Sequence, residues 1–110
     1  LLVHYGHSDL GISKPQQSVP TIYIEAKASV NVKPAVRKAL TLLKHWRNIG
    51  LITTIQHIDK LDETRKILLE VSKRVAIGDA GRLKHAGQVI GCDYSNAKAV
   101  QKNVDAYLFV

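Results

Sequence analysis

Apolar and polar positions change period along the chain, and this change predicts a mixed α/β fold. Four stretches rich in β-branched and apolar residues have the pattern of strands, near residues 21–27, 50–55, 74–78 and 105–110. Three stretches between them have helical spacing, near residues 33–47, 60–73 and 95–103. Strands that alternate with helices favour parallel pairing through right-handed crossovers. We therefore predict a Rossmann-like domain with a four-stranded parallel sheet flanked by helices.

The two longer helices each carry an apolar face. In the first, Val36, Leu40 and Leu43 recur at i, i+4 and i+7. The inward face of the second is expected to consist of Leu61, Thr64, Leu68 and Val71. Asp59 and Ser95 are expected to cap the second and third helices, because short polar side chains accept hydrogen bonds from free backbone N–H groups there.

The first 20 residues differ in pattern from the rest. Residues 1–5 are apolar and extended in type, so they form either an extra strand or the end of a preceding domain. Residues 6–20 contain Gly, Pro and Ser and are typical of a linker. We expect residues 1–19 to be the last strand of a preceding domain and a linker, and residues 20–110 to be a Rossmann-like domain. The chain contains no methionine, and we interpret it as a piece of a longer protein.

The composition restricts the class of protein. A chain of 110 residues with 45% hydrophobic content suits one domain with a real core. It has no run of about 18 apolar residues and no secretory signal pattern, so no membrane association is expected. The single cysteine has no partner for a disulfide within the chain, which indicates a reducing compartment and a cytoplasmic location.

The net charge of +7 favours acidic partners, either nucleic acid or an acidic protein surface. The one Trp, four Tyr and one Phe do not interleave with basic residues, so the usual stacking platform for single-stranded nucleic acid is not visible. Along the first predicted helix, basic residues recur opposite the apolar face, namely Lys33, Arg37, Lys44 and Arg47. This stripe is either a solvated face or a binding surface for a partner.

Candidate chemistry gathers at the carboxyl edge of the predicted sheet, where ligands bind in such folds. The loop "GQVIGCDYS", residues 87–95, follows the third predicted strand and contains Cys92. Gly87 and Gly91 flank it and leave the backbone open to close approach. The segment "TTIQH", residues 53–57, is expected at the same edge.

Cysteine, histidine and glycine positions allow several kinds of site. Cys92 is either a structural thiol or a metal ligand, and as a ligand it needs fellows from other domains or chains, because one thiolate cannot hold zinc or an iron–sulfur cluster. A zinc site of histidines with Cys92 is conceivable from His4, His7, His57 and His85. Their spacing matches no established zinc motif. Neither GxGxxG nor GxxxxGK[ST] follows a strand, so a dinucleotide or ATP site is not expected.

Four motifs, in this order and spacing, resemble a known family. They are "VHYGHSDL" (residues 3–10), "LITTIQHIDKL" (51–61), "GQVIGCDYS" (87–95) and the final "VDAYLFV" (104–110). Together they resemble the archaeal diphthamide synthases, the 2-(3-amino-3-carboxypropyl)histidine synthases. The resemblance runs over nearly all of the chain.

The resemblance implies a three-domain enzyme in which each Rossmann-like domain donates one cysteine to a single [4Fe–4S] cluster. This chain would cover the end of the first domain and the second domain, with Cys92 as the second domain's ligand. The family cleaves S-adenosylmethionine at the cluster and transfers a 3-amino-3-carboxypropyl radical to a histidine of translation elongation factor 2, the first step of diphthamide biosynthesis. Its archaeal members are described as homodimers.

Further site residues follow from position once the resemblance is accepted. Gly91 would let the cluster approach the backbone, and Thr54, Gln56 and His57 are expected to hydrogen-bond the methionine part of S-adenosylmethionine. Direct nucleic-acid binding is not expected on this interpretation, and the isolated chain is expected to be inactive. Two alternatives stay open, namely a non-catalytic Rossmann-like binding module with a structural Cys92 and an RNA-binding protein related to translation.

Overall fold

The computed structural model describes residues 1–6, 8–9 and 19–110. In that part of the chain the strands are β1 (Leu2–Tyr5), β2 (Thr21–Ile24), β3 (Asn48–Ile52), β4 (Arg74–Ala76) and β5 (Ala106–Phe109). The helices are α1 (Lys33–Leu42), α2 (Leu61–Glu70) and α3 (Ser95–Val100), and 3-10 helices span Ile55–Lys60 and Gln101–Asn103. None of the helices in these ranges has the length and apolar content needed to cross a membrane.

The strands form two parallel sheets. In one sheet β1 pairs with β2, and in the other the strand order is β4-β3-β5. The predicted α/β class and parallel pairing are confirmed, but the predicted four-stranded sheet is wrong. β2 pairs along its length with β1, which the prediction left out of the sheet, and not with the outer edge of β4 or β5, so the strands divide into two sheets. The expected domain boundary at residues 19 and 20 therefore falls between two strands that pair with each other.

The core lies on one face of the three-stranded sheet. Ile49 and Leu51 of β3 are completely buried against Leu43, which follows the end of α1, and against Leu61 and Leu68 of α2. This packing explains the continuous apolar run of β3, because a central parallel strand is covered on both faces.

The opposite face of the same sheet packs against α3. Tyr107 of β5 crosses Gly50 of β3 and donates a hydrogen bond through its hydroxyl to the Ala97 carbonyl. A Cβ at Gly50 would lie 2.5 Å from the Tyr107 ring, so a glycine is required for this crossing. Helices therefore cover both faces of β3.

Helix α1 ends at Leu42, five residues before the predicted end. The Lys73 ammonium donates to the carbonyls of Leu43 and Trp46, each at 2.6 Å, and to that of Lys44 at 3.3 Å. A cation at a helix C-terminus satisfies free carbonyls and complements the helix dipole. Because Lys44 and Arg47 lie beyond the helix, the predicted basic stripe is not one continuous helical face.

Helix α2 also differs from its prediction. Leu61, Thr64 and Leu68 are buried as expected, whereas Val71 is 45% exposed and Ile67 is buried instead. The chain leaves the helix after Glu70 and turns at Ser72, which has φ of 60°.

Neither predicted N-cap forms. Asp59 pairs with Lys27 at 2.9 Å and lies within the 3-10 helix Ile55–Lys60, a segment partly predicted as strand. Ser95 is the first residue of α3, and its N–H donates to Asp93 Oδ1 at 2.8 Å. Asp59 thus forms a longer-range ion pair instead of the predicted cap. At Ser95, the neighbouring Asp93 carboxylate accepts the backbone hydrogen bond.

Candidate functional site

The loop of residues 79–94 returns to the carboxyl end of β3. The Thr53 N–H donates to the Gly87 carbonyl at 2.9 Å, and the Val89 N–H donates to the Thr53 carbonyl at 2.8 Å. On the other side, the Thr53 hydroxyl donates to the Val110 carbonyl at 2.7 Å. Thr53 thus joins the cysteine-bearing loop to the end of β5, and both lie at the carboxyl edge of the three-stranded sheet.

Cys92 lies at the tip of a tight turn, residues 90–93, which we call the cysteine turn. The Ile90 N–H donates to the Asp93 carbonyl at 2.9 Å, and the Asp93 N–H donates back to the Ile90 carbonyl at 3.1 Å. Two residues, Gly91 and Cys92, connect this pair. The Cys92 thiol is free and exposed, which does not fit a thiol buried for packing.

Gly91 is needed neither for the backbone conformation nor for packing within this chain. Its φ is not positive, whereas among the described glycines Gly6, Gly81 and Gly87 have positive φ. A Cβ built on Gly91 meets nothing within 4 Å. The space beside Gly91 is therefore open to a group that comes from outside the chain.

An apolar pocket of about 520 Å³ adjoins the cysteine turn. Its walls come from β3, β5, α3 and the loop, and they consist of Ile52, Thr54, Val89, Ile90, Gly91, Tyr94, Ala97 and Phe109. A volume of this size suits a small organic ligand, with apolar walls for affinity and a few polar groups for orientation. Of the residues expected to bind the cofactor, Thr54 and Gly91 line this pocket.

Gln56 and His57 lie on the 3-10 helix and do not line that pocket. The Gln56 side-chain amide donates to the Gly6 carbonyl at 3.3 Å, and the Gln56 carbonyl accepts from the Ala28 N–H at 2.7 Å. Gln56 thus connects the two sheets. The buried Nδ1 of His57 has no hydrogen-bond partner in the described part of the chain.

Among the described residues, His4, His57 and His85 do not come together with Cys92 as the conceivable zinc site requires. His4 stacks on Tyr23 with ring centroids 5.3 Å apart, and His85 lies beside Glu25. Within the described ranges no three His, Cys, Asp or Glu side chains could hold a metal ion together. His7 lies outside the described residues.

A polar cluster behind the cysteine turn was missed by sequence reasoning. Its members lie after β1, after β2 and in the long loop, and they are Ser8, Glu25, Lys84, His85 and Gln88; we call them the Glu25 cluster. Glu25 directly follows the carboxyl end of β2, and this position at a functional edge was the available signal. The burial of Gln88, which is complete, depends on tertiary contacts and has no local signature.

Charge and hydrogen bonds stabilise the ionised form of Glu25. The Lys84 ammonium lies 2.9 Å from Oε1, the Ser8 hydroxyl donates to the same oxygen at 3.0 Å, and His85 Nε2 lies 3.4 Å away. Lys84 above all, followed by Ser8 and His85, lowers the pKa of Glu25 to about 2 against the opposing effect of burial. Glu25 is therefore an anion at every pH at which the protein is expected to function.

Asn96 connects the long loop to α3. This completely buried side chain accepts from the Ala80 N–H at 2.8 Å and donates to the His85 and Gln88 carbonyls at 2.9 and 3.0 Å. At Gly78 a Cβ would lie 1.8 Å from the Asn96 carbonyl oxygen. The chain at Gly78 and α3 therefore meet backbone to backbone.

Comparison with known proteins decides the family. The model of the diphthamide synthesis protein family matches residues 1–110, the whole chain. This chain belongs to that family. It is 39% identical over 99 residues to the 2-(3-amino-3-carboxypropyl)histidine synthase of Pyrococcus horikoshii, a match that covers 88% of the chain and 28% of the relative.

The fold agrees with solved structures from the same family. A crystal structure of Dph2 from Pyrococcus horikoshii superimposes with a TM-score of 0.80 at 37% identity, over 98% of this chain and 31% of that one. A second crystal structure, of Dph2 from Pyrococcus horikoshii with a 4Fe–4S cluster, matches with the same values. The chain thus spans about a third of the length of these relatives.

Proposed function

We propose that this chain is part of an enzyme that transfers a 3-amino-3-carboxypropyl group from S-adenosylmethionine to a histidine of translation elongation factor 2. The observation that carries the proposal is the exposed Cys92 at the tip of a two-residue turn, in a family in which a relative's structure holds a 4Fe–4S cluster. On this proposal Cys92 supplies one of three thiolate ligands, and two other domains supply the rest.

The residues present fit one corner of such a cluster. The thiol projects from the edge of the sheet, and the space beside Gly91 is open. A thiolate is the ligand that iron–sulfur clusters use, and a ligand must be deprotonated to bind. When bound, the cluster supplies the electron that breaks a carbon–sulfur bond of S-adenosylmethionine. One cysteine cannot hold it, so the chain by itself is proposed to be inactive.

The pocket beside the cysteine turn is proposed to receive apolar atoms of S-adenosylmethionine. Its apolar walls would exclude water on one side of the substrate, and Thr54 is the lining residue with a hydroxyl that could hydrogen-bond it. His57 is proposed as a further contact, supported by its buried Nδ1 without a partner. Any contact from Gln56 would use its side-chain oxygen, since its amide nitrogen already donates to Gly6.

The proposed domain division assigns β1 and the linker to a preceding domain, and residues 20–110 to the domain that carries Cys92. The pairing of β1 with β2 would then join the two domains by backbone hydrogen bonds. We further propose a cytoplasmic, homodimeric full-length protein with no contact to membranes or nucleic acid.

The test uses the full-length protein under anaerobic conditions. Protein, reductant, elongation factor 2 and S-adenosylmethionine labelled in its carboxyl group are mixed, and label on the factor is counted. Cys92→Ala should lose the cluster or hold it weakly, because two remaining thiolates leave an additional iron exposed. Cys92→Ser keeps the size of the side chain but supplies a poorer ligand. It should hold more cluster than Cys92→Ala and less than the unchanged protein.

Full labelling by the Cys92→Ala protein would remove Cys92 from the site. That outcome would favour a binding module in which the cysteine has no role in chemistry. Salt-dependent RNA binding together with an absence of labelling would favour the RNA-binding alternative. Labelling that requires both Cys92 and the factor's histidine supports the proposal.

A further inference from the structure

The two sheets meet through residues that follow the carboxyl ends of their strands. From the two-stranded sheet these are Gly6, Ser8, Glu25, Lys27 and Ala28. Their partners across the interface are Gln56, Asp59, Lys84, His85 and Gln88. The carboxyl edges of both sheets therefore face each other, and the cysteine turn lies on a loop that takes part in this contact.

Glu25 is the centre of the contact. Its carboxylate accepts hydrogen bonds from the Lys84 ammonium and the Ser8 hydroxyl. Each of its two oxygens also lies 3.4 Å from His85 Nε2. The side chain is 16% exposed, so water solvates little of its charge. A carboxylate held this way is costly to desolvate, and a hydrophobic contact would often be at least as stable. Compared with an apolar contact, the charged contact adds a fixed geometry, because its hydrogen bonds form in one arrangement.

A set of contacts leads from Glu25 to the start of the cysteine turn. The Ser8 hydroxyl that binds Glu25 also accepts from Gln88 Nε2 at 3.2 Å. Gln88 Oε1 accepts from the His85 N–H at 3.3 Å, which closes the loop on itself. Gln88 forms a parallel bridge with Thr53, and two residues later Ile90 begins the cysteine turn.

The loop needs such support because it has little regular structure. Residues 79–94 connect β4 to α3 with two isolated bridges, and loops of this length are ordered by their own side-chain contacts or by a function. Asn96 holds the loop from the side of α3, and the Glu25 cluster holds it from the side of the two-stranded sheet. The cysteine turn is thus positioned from two sides.

We propose that Glu25 is a positioning residue that fixes the loop and, through Gln88, the direction of the Cys92 thiol toward its ligand site. The statement about the ligand site rests on the proposed function of Cys92. Glu25 follows β2, so the position of the thiol depends on the two-stranded sheet and not on the cysteine-bearing sheet alone. A shift between the two sheets would therefore move the Cys92 thiol relative to β1 and to the preceding domain proposed above.

The test compares Glu25→Gln with Glu63→Gln in the full-length protein. Glu63 is a matched control, because its carboxylate pairs with Lys33 at 3.1 Å on the outer surface of the helices. Amide hydrogen exchange of residues 79–94 is measured without a cluster. The electron paramagnetic resonance spectrum and the iron content are measured after anaerobic reconstitution. A second variant, Lys84→Gln, removes the main partner of Glu25.

We expect Glu25→Gln to speed exchange in the loop by about tenfold, since local opening follows the loss of its stabilising contacts. The resonance spectrum of the reduced cluster should broaden or shift, and Glu63→Gln should match the unchanged protein in both measurements. Lys84→Gln should act in the same direction, and the double variant should be less than additive. Glu25→Asp, which keeps the charge, should recover part of the protection.

Unchanged exchange in Glu25→Gln, or faster exchange with an unchanged spectrum and full iron content, would overturn the inference. Cys92→Ala separates this result from the proposed function, because it should lose the cluster and leave exchange in the loop unchanged. A cluster retained by Cys92→Ala would defeat the ligand role of Cys92 and the thiol-directing part of the inference, while the exchange data still decide whether Glu25 fixes the loop. If Glu25→Gln fails to fold, Lys84→Gln is judged by the same readouts.

Discussion

The three-stranded sheet and the two-stranded sheet bury their side chains to very different degrees. On β3, Ile49 and Leu51 have no exposed surface, because helices cover both faces. On the two-stranded sheet, Leu2, Val3 and Ile22 are 52%, 54% and 50% exposed. Two strands without a covering layer are marginal in water. In this chain the three-stranded sheet is therefore stabilised by its core. The two-stranded sheet is stabilised by backbone pairing and by its polar contacts to the three-stranded sheet.

The largest effect is expected in the core of the three-stranded sheet. Leu51→Ala should lower the free energy of unfolding of the purified chain by about 3–4 kcal/mol, since it leaves a cavity among completely buried side chains. Leu2→Ala is the matched control and should cost less than about 1 kcal/mol, because Leu2 is half exposed. Equal losses in urea denaturation would mean that the two sheets do not differ as described.

Substitution by alanine should lower stability strongly at one glycine near the cysteine turn and hardly at all at another. Gly78→Ala should cost about 2–3 kcal/mol, because its Cβ would lie 1.8 Å from the Asn96 carbonyl oxygen and the backbone must move. Gly91→Ala should leave stability nearly unchanged, since nothing lies within 4 Å of its Cβ. In the full-length protein, however, Gly91→Ala should reduce iron content. Thermal unfolding and iron analysis measure these effects, and a stable, fully loaded Gly91→Ala protein would contradict the role given to the open space.

The stability that Glu25 gives to the contact between the two sheets should depend on pH. The pKa of Glu25 is lowered to about 2, so its ionised form stabilises the fold above the pKa of the unfolded state, and this stability is lost as the pH falls from about 4.5 to about 2. The loss should approach about 2 kcal/mol, because solvent around the exposed Lys84 weakens the pair.

The control for this pH dependence is Glu25→Gln. It should be less stable at neutral pH and show a flatter acid profile. Asp105 also has a lowered pKa, caused by hydrogen bonds from Asn48 and from the Arg47 N–H, so it contributes to acid unfolding in both proteins. Only the difference between the two urea midpoints, followed from pH 7 downward, reports on Glu25. Parallel profiles would show that Glu25 does not join the sheets electrostatically.

The smallest effects are expected on the outer surface of α1. Lys33→Ala removes an exposed ion pair with Glu63 and should cost less than about 0.5 kcal/mol. On the proposed function, neither it nor Arg37→Ala should change iron content, and each should at most slow the docking of the proposed substrate, elongation factor 2, because surface charge acts mainly on encounter. A large loss of stability or of cluster in either variant would place α1 closer to the site than its position on the fold allows.

The sequence was sufficient for the features that depend on local period. The helical spacing of Val36, Leu40 and Leu43 and the apolar run at β3 predicted the element types, and parallel pairing followed from their alternation. The position of the cysteine loop at the carboxyl edge also followed from this topology. None of these features requires knowledge of contacts between distant residues.

The features that were wrong or missed depend on distant residues. Whether β2 pairs with β1 or with an outer strand of the larger sheet is a tertiary choice that the apolar pattern of β2 does not encode. The Glu25 cluster brings Ser8 within hydrogen-bond distance of Gln88, which is 80 residues away. The orientation of Gln56 toward the two-stranded sheet follows from the 3-10 helix, whose phase cannot be read from an apolar run.

The end of α1 shows how a helix boundary can depend on a residue far along the chain. The ammonium of Lys73, 30 residues beyond Leu43, donates to the carbonyls of Leu43, Lys44 and Trp46, which follow the last residue of the helix. These carbonyls belong to the turn that leads from α1 into β3, and Lys73 lies one residue before β4. The same contact therefore links the end of the helix to the start of the pairing between β3 and β4.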